Sequence, residues 1–397
     1  MKETPIRIGG EEKKERPPVP KEPTLKLGAD DKKSEKERPL VLKETPHFYV
    51  CIMAGGSGER FWPMSRMRTP KHLLKLFSDR TLVEETVRRL DGVVARANIF
   101  VLTNVAQLEG TRAALDGLLP GDQIIAEPAK RDTAAAAALA TGLVRARDPQ
   151  GVLALLPADS YIRDVATFAK QLRLGLIRAS QTKALLTFAI KPNHAATGFG
   201  YLKLDGPVPA GGGGFQRVVK FVEKPDPATA ARYVASGNFA WNAGMFVWSV
   251  GSFLAEAELH TPKLAKFIRE FPAGDPRAYL AARFLTLIPK VSVDYAILEK
   301  AAAVETLIAE FDWDDVGVWT ALPNYLPRDG ANNATRGTVV TTGGAANNIA
   351  LSNGRVIALV GVKDLVVVET ADAILVCHRN SVDDIKKLMP QLPKDVL

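Results

Sequence analysis

The chain is poor in cysteine and histidine and has no long apolar run, and each shortage excludes a class of protein. The only cysteines are Cys51 and Cys377, both in apolar, strand-like runs, so we interpret them as buried, reduced thiols. Reduced thiols favour a cytoplasmic location over a secreted, disulfide-stabilised one. The five histidines show no metal-ligand spacing. No apolar run approaches the ~20 residues of a membrane helix, so we expect no membrane partner.

The charge balance is modestly basic, with a formal net charge of +8 over 397 residues. A basic excess can indicate a nucleic-acid partner, but the chain lacks the motifs and the interleaved aromatic and basic residues typical of such proteins. Substrates that carry several phosphates account for the charge equally well. We therefore expect phosphorylated small molecules as partners and no nucleic acid.

Composition divides the chain into three regions. Residues 1–46 are rich in Lys, Glu and Pro and nearly free of aromatics, which predicts a disordered charged extension because little apolar area is available to offset ordering. Residues 47–335 alternate apolar strands with helices, which predicts an α/β domain with a Rossmann-like, mostly parallel sheet. Residues 336–397 contain short strands with Gly/Asn turns and end in a predicted helix, which indicates a small C-terminal all-β module.

A glycine-rich turn follows the first predicted strand and is the most informative segment. Residues 55–58 read GGSG, and Arg60 and Lys71 lie beyond them. Glycines allow the backbone to approach a ligand closely, and the two cations supply charge for phosphate oxygens. The spacing matches neither a P-loop nor a dinucleotide fingerprint. The segment predicts a polyphosphate-binding loop, and the alternative is a tight turn with an incidental arginine.

Two further groups of charged residues have both a functional and a structural interpretation. Asp159 ends the apolar run LALLPAD, and a carboxylate at the end of a parallel strand faces the ligand crevice; the alternative is a helix N-cap. Glu223 and Lys224 end another predicted strand, and the alternative for them is a surface ion pair. Near Asp315, we interpret Asp312 and Asp314 as a solvated acidic turn.

From Gly55 to Lys71 the chain matches G-G-x-G-x-R-x-x-P-x-(S/T)-x-x-x-x-P-K and so resembles the sugar-nucleotide pyrophosphorylases. Within that family it is most similar to the mannose-1-phosphate guanylyltransferases. The resemblance extends from about Phe48 onward, and the segments EPAKRDT, TGFGYLK, FVEKP, WNAGMF and VSVDYA follow in the family's order. Some positions depart from the family: Ser160 stands where His is common, and Val318 where Ser or Asn is usual.

The resemblance implies a fold, a reaction and a cofactor. The fold is that of the nucleotide-diphospho-sugar transferases, with a short left-handed β-helix as the C-terminal module. The reaction is GTP plus mannose 1-phosphate giving GDP-mannose and pyrophosphate, with Mg²⁺ as cofactor. No isomerase segment follows the module, so we expect a monofunctional enzyme, and we expect a homodimer.

The resemblance also implies roles for individual residues. Arg60 and Lys71 are the expected catalytic residues, and Asp159 and Asp315 the expected metal ligands. The expected nucleotide-binding residues are Ala54, Gly55, Gly56, Ser57, Gly58, Glu127, Arg131, Thr133 and Pro157, and the expected sugar-phosphate-binding residues are Gly198, Tyr201, Glu223, Lys224, Asn242 and Asp294.

Several alternatives remain open at this point. Asp294 has an alternative role as a helix N-cap, and Asp132 or Thr133 as the cap of the alanine-rich helix that follows. The same chemistry with another nucleotide and sugar phosphate is one alternative function. The other is a catalytically silent homologue that binds sugar nucleotides and regulates a partner.

Overall fold

A nine-stranded mixed sheet contains most of the apolar runs of the sequence. The computed structural model describes residues 47–397, and the predicted disordered extension lies outside the described residues. The strands of this sheet are β1 (Phe48–Met53), β2 (Ile99–Asn104), β3 (Ile124–Glu127), β4 (Val152–Pro157), β5 (Leu185–Ile190), β6 (Gly200–Leu204), β7 (Phe215–Glu223), β8 (Phe239–Ser249) and β9 (Val304–Ile308). Their spatial order is β3-β2-β1-β4-β8-β5-β9-β7-β6, and β8 also pairs with β6.

The predicted parallel arrangement is found where the glycine-rich turn lies. Strands β3, β2, β1 and β4 pair in parallel. The long strand β8 then runs antiparallel to both β4 and β5, and β6 and β7 form an antiparallel hairpin. The run of four glycines at residues 211–214 lies in the connection between these last two strands. The sheet is therefore parallel on its β1 side and mixed beyond β4.

Helices cover both faces of the sheet, and the alternation of side chains along β1 shows why. Tyr49 and Cys51 belong to the core on one face, whereas Val50 and Ile52 belong to the core on the other. The helices are α1 (Leu82–Arg88), α2 (Leu108–Ala114), α3 (Thr133–Arg147), α4 (Val165–Gln181), α5 (Pro227–Ser236), α6 (Val250–His260), α7 (Pro262–Arg269), α8 (Arg277–Leu287) and α9 (Ile385–Leu388). No helix within residues 47–397 is long and apolar enough to cross a membrane.

The C-terminal module is built of stacked short strands. They are β10 (Ala334–Arg336), β11 (Val339–Thr342), β12 (Ile349–Leu351), β13 (Ile357–Val360), β14 (Leu365–Glu369) and β15 (Ile374–His378). β10, β12 and β14 stack in parallel, β11 pairs in parallel with β13, and β15 closes the larger stack antiparallel to β14. Buried Asn333 and Asn348 bond to each other at the same turn of successive coils, with Asn348 Nδ2 2.8 Å from Asn333 Oδ1. This repeat of parallel coils is the architecture of a β-helix.

The module packs against the segment that follows the glycine-rich turn. Ile349, Val366 and Ile385 from the module share one buried cluster with Phe61 and Trp62. Trp62 Nε1 also donates a hydrogen bond to the carbonyl oxygen of Val396 at 2.9 Å. The predicted helix near the C-terminus is confirmed as α9, flanked by 3₁₀ turns. The C-terminal residues therefore hold the turn after β1 in place.

Candidate active site

One cleft runs along the carboxyl ends of the parallel strands. It consists of two adjoining cavities of about 710 and 770 Å³. The last residues of β1 to β4, in turn Met53, Asn104, Glu127 and Pro157, all line the cleft. This is the place where open α/β sheets bind ligands. Apart from Tyr201, every site residue predicted from the sequence lines one or both cavities.

The glycine-rich turn forms one wall of the cleft, and its shape depends on Gly58. Residues 54–56 line the second cavity, and Ser57 and Gly58 line the first. Gly58 has a φ of +65°, and a Cβ added there lies 2.5 Å from the Cβ of Lys71. Ser65 Oγ donates to the Gly58 carbonyl oxygen at 2.8 Å. A residue other than glycine at position 58 therefore displaces the chain at Lys71.

Lys71 is a buried cation that joins two acidic positions of the site. Only 7% of the residue is exposed. Its Nζ donates to Asp159 Oδ2 at 2.8 Å and also to the backbone carbonyl oxygen of Asp315. Asp159 is not an N-cap, because the next helix, α4, is capped by Asp164. The alternative interpretation of Asp159 is therefore wrong.

Arg60 contacts the C-terminal module. Its Nε lies 3.2 Å from Asp383 Oδ1. The contact lacks hydrogen-bond geometry, so this buried donor has no acceptor among the residues that the structure describes. A buried donor without an acceptor is uncommon in folded proteins and is consistent with a site that awaits an anionic ligand.

Asp159 and Asp315 form a donor set that fits a hard divalent cation. Both line the first cavity. Burial raises the pKa of Asp315 to about 6, and the charge of Asp159 is one further cause in the same direction. A divalent cation relieves that repulsion, and two carboxylates completed by substrate oxygens and water suit Mg²⁺. Within residues 47–397 there is no cluster of three or more such ligands, so the protein alone does not complete a coordination shell.

The backbone around Asp315 is strained. Val316 has a φ of +46°, which is rare for a β-branched residue and costs roughly 1–3 kcal/mol. A Cβ added to Gly317 lies 2.8 Å from Asp315 Oδ2. Asp314 accepts from the Val316 N–H at 2.7 Å and from the Tyr325 hydroxyl at 2.8 Å. These bonds hold the Asp315 carboxylate towards the cleft.

The side chains expected to bind the sugar phosphate lie on the β7 and β8 side of the first cavity. Lys224 Nζ is 2.6 Å from Glu223 Oε1, and Lys224 has a φ of +45°. Asn242 donates to Asp294 Oδ1 at 3.0 Å and accepts from the Thr187 hydroxyl at 2.8 Å. Burial raises the pKa of Asp294 to about 6. The ion pair predicted as an alternative for Glu223 and Lys224 exists, but it lines the cleft.

Glu127 and Arg131 line the second cavity, where the resemblance places the base. Burial raises the pKa of Glu127 to about 8. The expected capping interactions are absent: Asp132 occupies the N-cap position of α3 without a side-chain cap bond. Thr133 is the first residue of α3, and its hydroxyl accepts from the Val293 N–H at 2.9 Å. That bond ties α3 to the segment before Asp294.

Three further interpretations from the sequence are wrong. Tyr201 is fully buried, and its hydroxyl donates to the Ala196 carbonyl oxygen at 2.9 Å. Along β6 the side chains alternate, so Gly200 faces Glu223 in the cleft and Tyr201 faces the core. Asp294 is not an N-cap; it begins a π-helical turn, Asp294–Leu298, without a cap bond.

The third error concerns the residues before Asp315, which do not form a solvated acidic turn. Asp312 Oδ2 pairs with Arg163 Nε at 3.0 Å, and Asp312 also accepts from the backbone N–H of Asp164 at 2.8 Å. Together with the bonds of Asp314, these contacts fix the loop that holds Asp315. Carboxylates that accept hydrogen bonds from backbone N–H groups stabilise a loop, whereas solvated carboxylates do not.

The cleft also contains cations that the motifs did not single out. Lys130 lines both cavities and lies next to Arg131 within EPAKRDT, so the motif itself contained the signal. Lys290 lines the second cavity just before the VSVDYA segment. Lys386 lines the first cavity, and it comes from α9 at the far end of the chain, where no local pattern marks it.

A cleft at the carboxyl ends of parallel strands, a glycine-rich turn and paired carboxylates are typical of nucleotide-binding transferases of the α/β class. The chain belongs to the nucleotidyl transferase family, whose model matches residues 49–329. A second model, described as the MannoseP isomerase/GMP-like beta-helix domain, matches residues 338–392. The family resemblance and the fold class predicted from the sequence are thus confirmed.

Similar proteins of known name agree with this assignment. The mannose-1-phosphate guanylyltransferase of Escherichia coli (strain K12) is 34% identical over 87% of this chain and 74% of its own length. The xanthan biosynthesis protein XanB of Xanthomonas campestris pv. campestris (strain B100) is 35% identical over 86% of this chain and 72% of its own. A crystal structure of a mannose-1-phosphate geranyltransferase from Thermus thermophilus superposes with a TM-score of 0.78 at 30% identity, covering 87% of this chain and 99% of that one.

Proposed function

We propose that the chain is a mannose-1-phosphate guanylyltransferase, which makes GDP-mannose and pyrophosphate from GTP and mannose 1-phosphate. The observation that carries the proposal is the contact of Lys71 with Asp159, just after β4, and with the backbone of Asp315, in a cavity that Arg60 also lines. That arrangement gathers cations and a metal-type carboxylate pair in one cleft. The named relatives support the choice of base and sugar.

The chemistry requires positioning and charge neutralisation more than proton transfer. A phosphate oxygen of the sugar phosphate forms a bond to the α-phosphorus of GTP. The bond from that phosphorus to the bridging oxygen of the β-phosphate breaks, and pyrophosphate leaves with the electron pair. The nucleophile is already an anion, so no strong general base is needed. Arg60 and Lys71 stabilise the charge that builds up on the pyrophosphate.

Asp159 and Asp315 would hold the divalent metal, and we propose Mg²⁺. When bound, the metal neutralises charge on the phosphate oxygens. Lys71 has a second role at this position, because its ammonium orients the Asp159 carboxylate and also contacts the backbone of Asp315. The strained backbone at Val316 fixes the direction of the Asp315 carboxylate.

The two ends of the cleft would bind the two substrates separately. At the β3 end, Glu127 loses its proton when the base binds and then accepts from the N1–H and exocyclic amine of guanine, while Arg131 and Thr133 line the same cavity. At the β8 end, Glu223 and Asp294 accept from sugar hydroxyls, and Lys224 binds the phosphate of the sugar. Asn242 and Gly198 shape that pocket.

A substrate matrix tests the proposal. Pyrophosphate release is measured with magnesium for each pairing of ATP, GTP, UTP and dTTP with mannose, glucose and N-acetylglucosamine 1-phosphates. A clear maximum at GTP with mannose 1-phosphate supports the proposal. A maximum at another pair keeps the chemistry and replaces the substrates. No release from any pair, by folded protein, favours the silent homologue that binds sugar nucleotides.

Three expectations from the sequence stay predictions. They are a homodimer, a cytoplasmic location and the division of the chain at residues 46 and 335. Light scattering coupled to size-exclusion chromatography gives the mass of the particle directly. A monomer mass at micromolar concentration contradicts the homodimer.

A further inference from the structure

Lys386 is one of three cleft lysines, with Lys130 and Lys290, that the proposed chemistry has not used. It lines the first cavity together with Ser57, Arg60 and Lys71, although it belongs to the C-terminal module. We propose that Lys386 binds the pyrophosphate part of GTP, so that the module supplies a residue of the active site as well as packing. This inference rests on the proposed function and adds a phosphate-binding residue to it.

The position of Lys386 is fixed by its neighbours in α9. Ile385 is 3% exposed and belongs to the same buried cluster as Phe61, so α9 packs on the turn Glu59–Phe61 that contains Arg60. Two residues before Ile385, Asp383 lies 3.2 Å from Arg60. Helix α9 is thus held at the Arg60 end of the cavity.

That end of the cavity is the pyrophosphate end. Of the side chains proposed for the sugar phosphate, Lys224 directly follows β7 and Asn242 belongs to β8. In an in-line displacement the nucleophile and the leaving group lie on opposite sides of the α-phosphorus. A cation beside Arg60 therefore faces the leaving group and not the sugar phosphate.

The charges of the cleft show why a further cation is useful there. Lys71 is paired with Asp159, Arg60 with Asp383 and Lys224 with Glu223. Each cation of the motif therefore has a carboxylate beside it. Lys386 makes no ion pair with any residue in the range 47–397. An ammonium without a carboxylate neighbour adds its full charge to the binding of a polyphosphate.

The adjacent residue, Lys387, provides a matched control. It is paired with Asp384 at 2.7 Å, is 80% exposed and lines neither cavity. Successive helical residues point about 100° apart, which explains why only one of the two lysines faces the cleft. The variants K386M and K387M remove the same charge from the same helix and keep a similar stem.

The test is run in the direction of pyrophosphate consumption, with GDP-mannose and magnesium. We expect K386M to raise the KM for pyrophosphate about tenfold while the KM for GDP-mannose stays within about twofold of wild type. K387M is expected to match wild type, and K386R to retain most of the affinity. Equal behaviour of K386M and K387M, or a larger effect on GDP-mannose than on pyrophosphate, overturns the proposal.

A binding measurement separates this inference from the proposed function. Magnesium pyrophosphate is titrated into wild type and both variants by calorimetry, and the melting temperature of each is recorded to confirm folding. If wild type binds pyrophosphate through Lys386 but does not turn over GDP-mannose, the proposed function is contradicted and the role of Lys386 stands. If K386M and wild type bind pyrophosphate with equal affinity, only the role of Lys386 is contradicted. Absence of binding by folded wild type contradicts both.

Discussion

Lys71 Nζ lies 2.8 Å from Asp159 Oδ2 and also donates to the backbone carbonyl oxygen of Asp315. One buried ammonium thus joins the segment after β4 to the loop that contains the second carboxylate. The same lysine follows the glycine-rich turn in the sequence and packs against Gly58. The shape of the turn and the placement of the carboxylates therefore depend on one side chain.

Replacement of Lys71 by methionine tests that dependence. We expect K71M to lower kcat by about 100-fold to 1000-fold, because the lost charge faces the leaving group in the transition state. Lys75→Met is the matched control, since Lys75 is exposed and lines neither cavity. Steady-state kinetics and melting curves of both variants are compared. A kcat of K71M within about threefold of wild type contradicts the assignment.

Asp159→Asn tests the metal assignment with little change of shape. We expect turnover to be lost at every magnesium concentration, because the neutral amide lacks the negative charge with which a carboxylate holds a hard cation. Wild type should lose activity in excess chelator and regain it with Mg²⁺. Asp91→Asn, in the surface pair with Arg96, is the control. Near-normal rates of D159N at saturating magnesium would show that Asp159 does not hold the metal.

Gly317→Ala tests whether the position of the Asp315 carboxylate matters. The new Cβ lies 2.8 Å from Asp315 Oδ2, so the carboxylate must turn away. We expect the magnesium concentration for half-maximal rate to rise about tenfold, with little loss of melting temperature. Gly330→Ala, which meets no atom within 4 Å, is the control. The same magnesium dependence in both variants would mean that Asp315 does not bind metal.

Glu127 makes stability depend on pH. Its pKa is about 8 in the folded protein against 4.5 ordinarily, because burial disfavours the charged form. Between these values the unfolded chain has lost the proton that the folded chain keeps, so stability falls as pH rises through this window. We expect Glu127→Gln to remove that loss. The free energy of unfolding of E127Q relative to that of wild type should therefore increase between about pH 5 and about pH 8.5.

Urea unfolding at several pH values measures this difference. Glu109→Gln is the control, since Glu109 is 83% exposed and, within residues 47–397, pairs only with Arg112. A constant difference between E127Q and wild type across the pH range would show that the Glu127 pKa is not raised.

The sequence was sufficient to predict the strands and the position of the glycine-rich turn. Continuous apolar runs such as β4 and the spacing from Gly55 to Lys71 depend on local chemistry, and each is found where expected. Tyr201 was misplaced because a motif match does not say which face of β6 a residue occupies. Neighbouring Gly200, not Tyr201, faces the cleft.

Other features depend on contacts between distant parts of the chain. Asp312 accepts hydrogen bonds from the backbone N–H groups of Arg163 and Asp164, which belong to another loop. An acidic cluster in a sequence does not predict such contacts. Lys386 reaches the cleft only because the C-terminal module packs on Phe61 and Trp62. No local pattern specifies such packing, which follows from the tertiary fold.

The crystal structure of the protein with GDP-mannose and Mg²⁺ tests the central claim most directly, because it places base, diphosphate and sugar in one experiment. The account predicts guanine beside Glu127, the metal between Asp159 and Asp315, and mannose against Glu223 and Asp294. A nucleotide bound in the reverse direction, with the sugar at Glu127, or bound outside the cleft, would contradict the account.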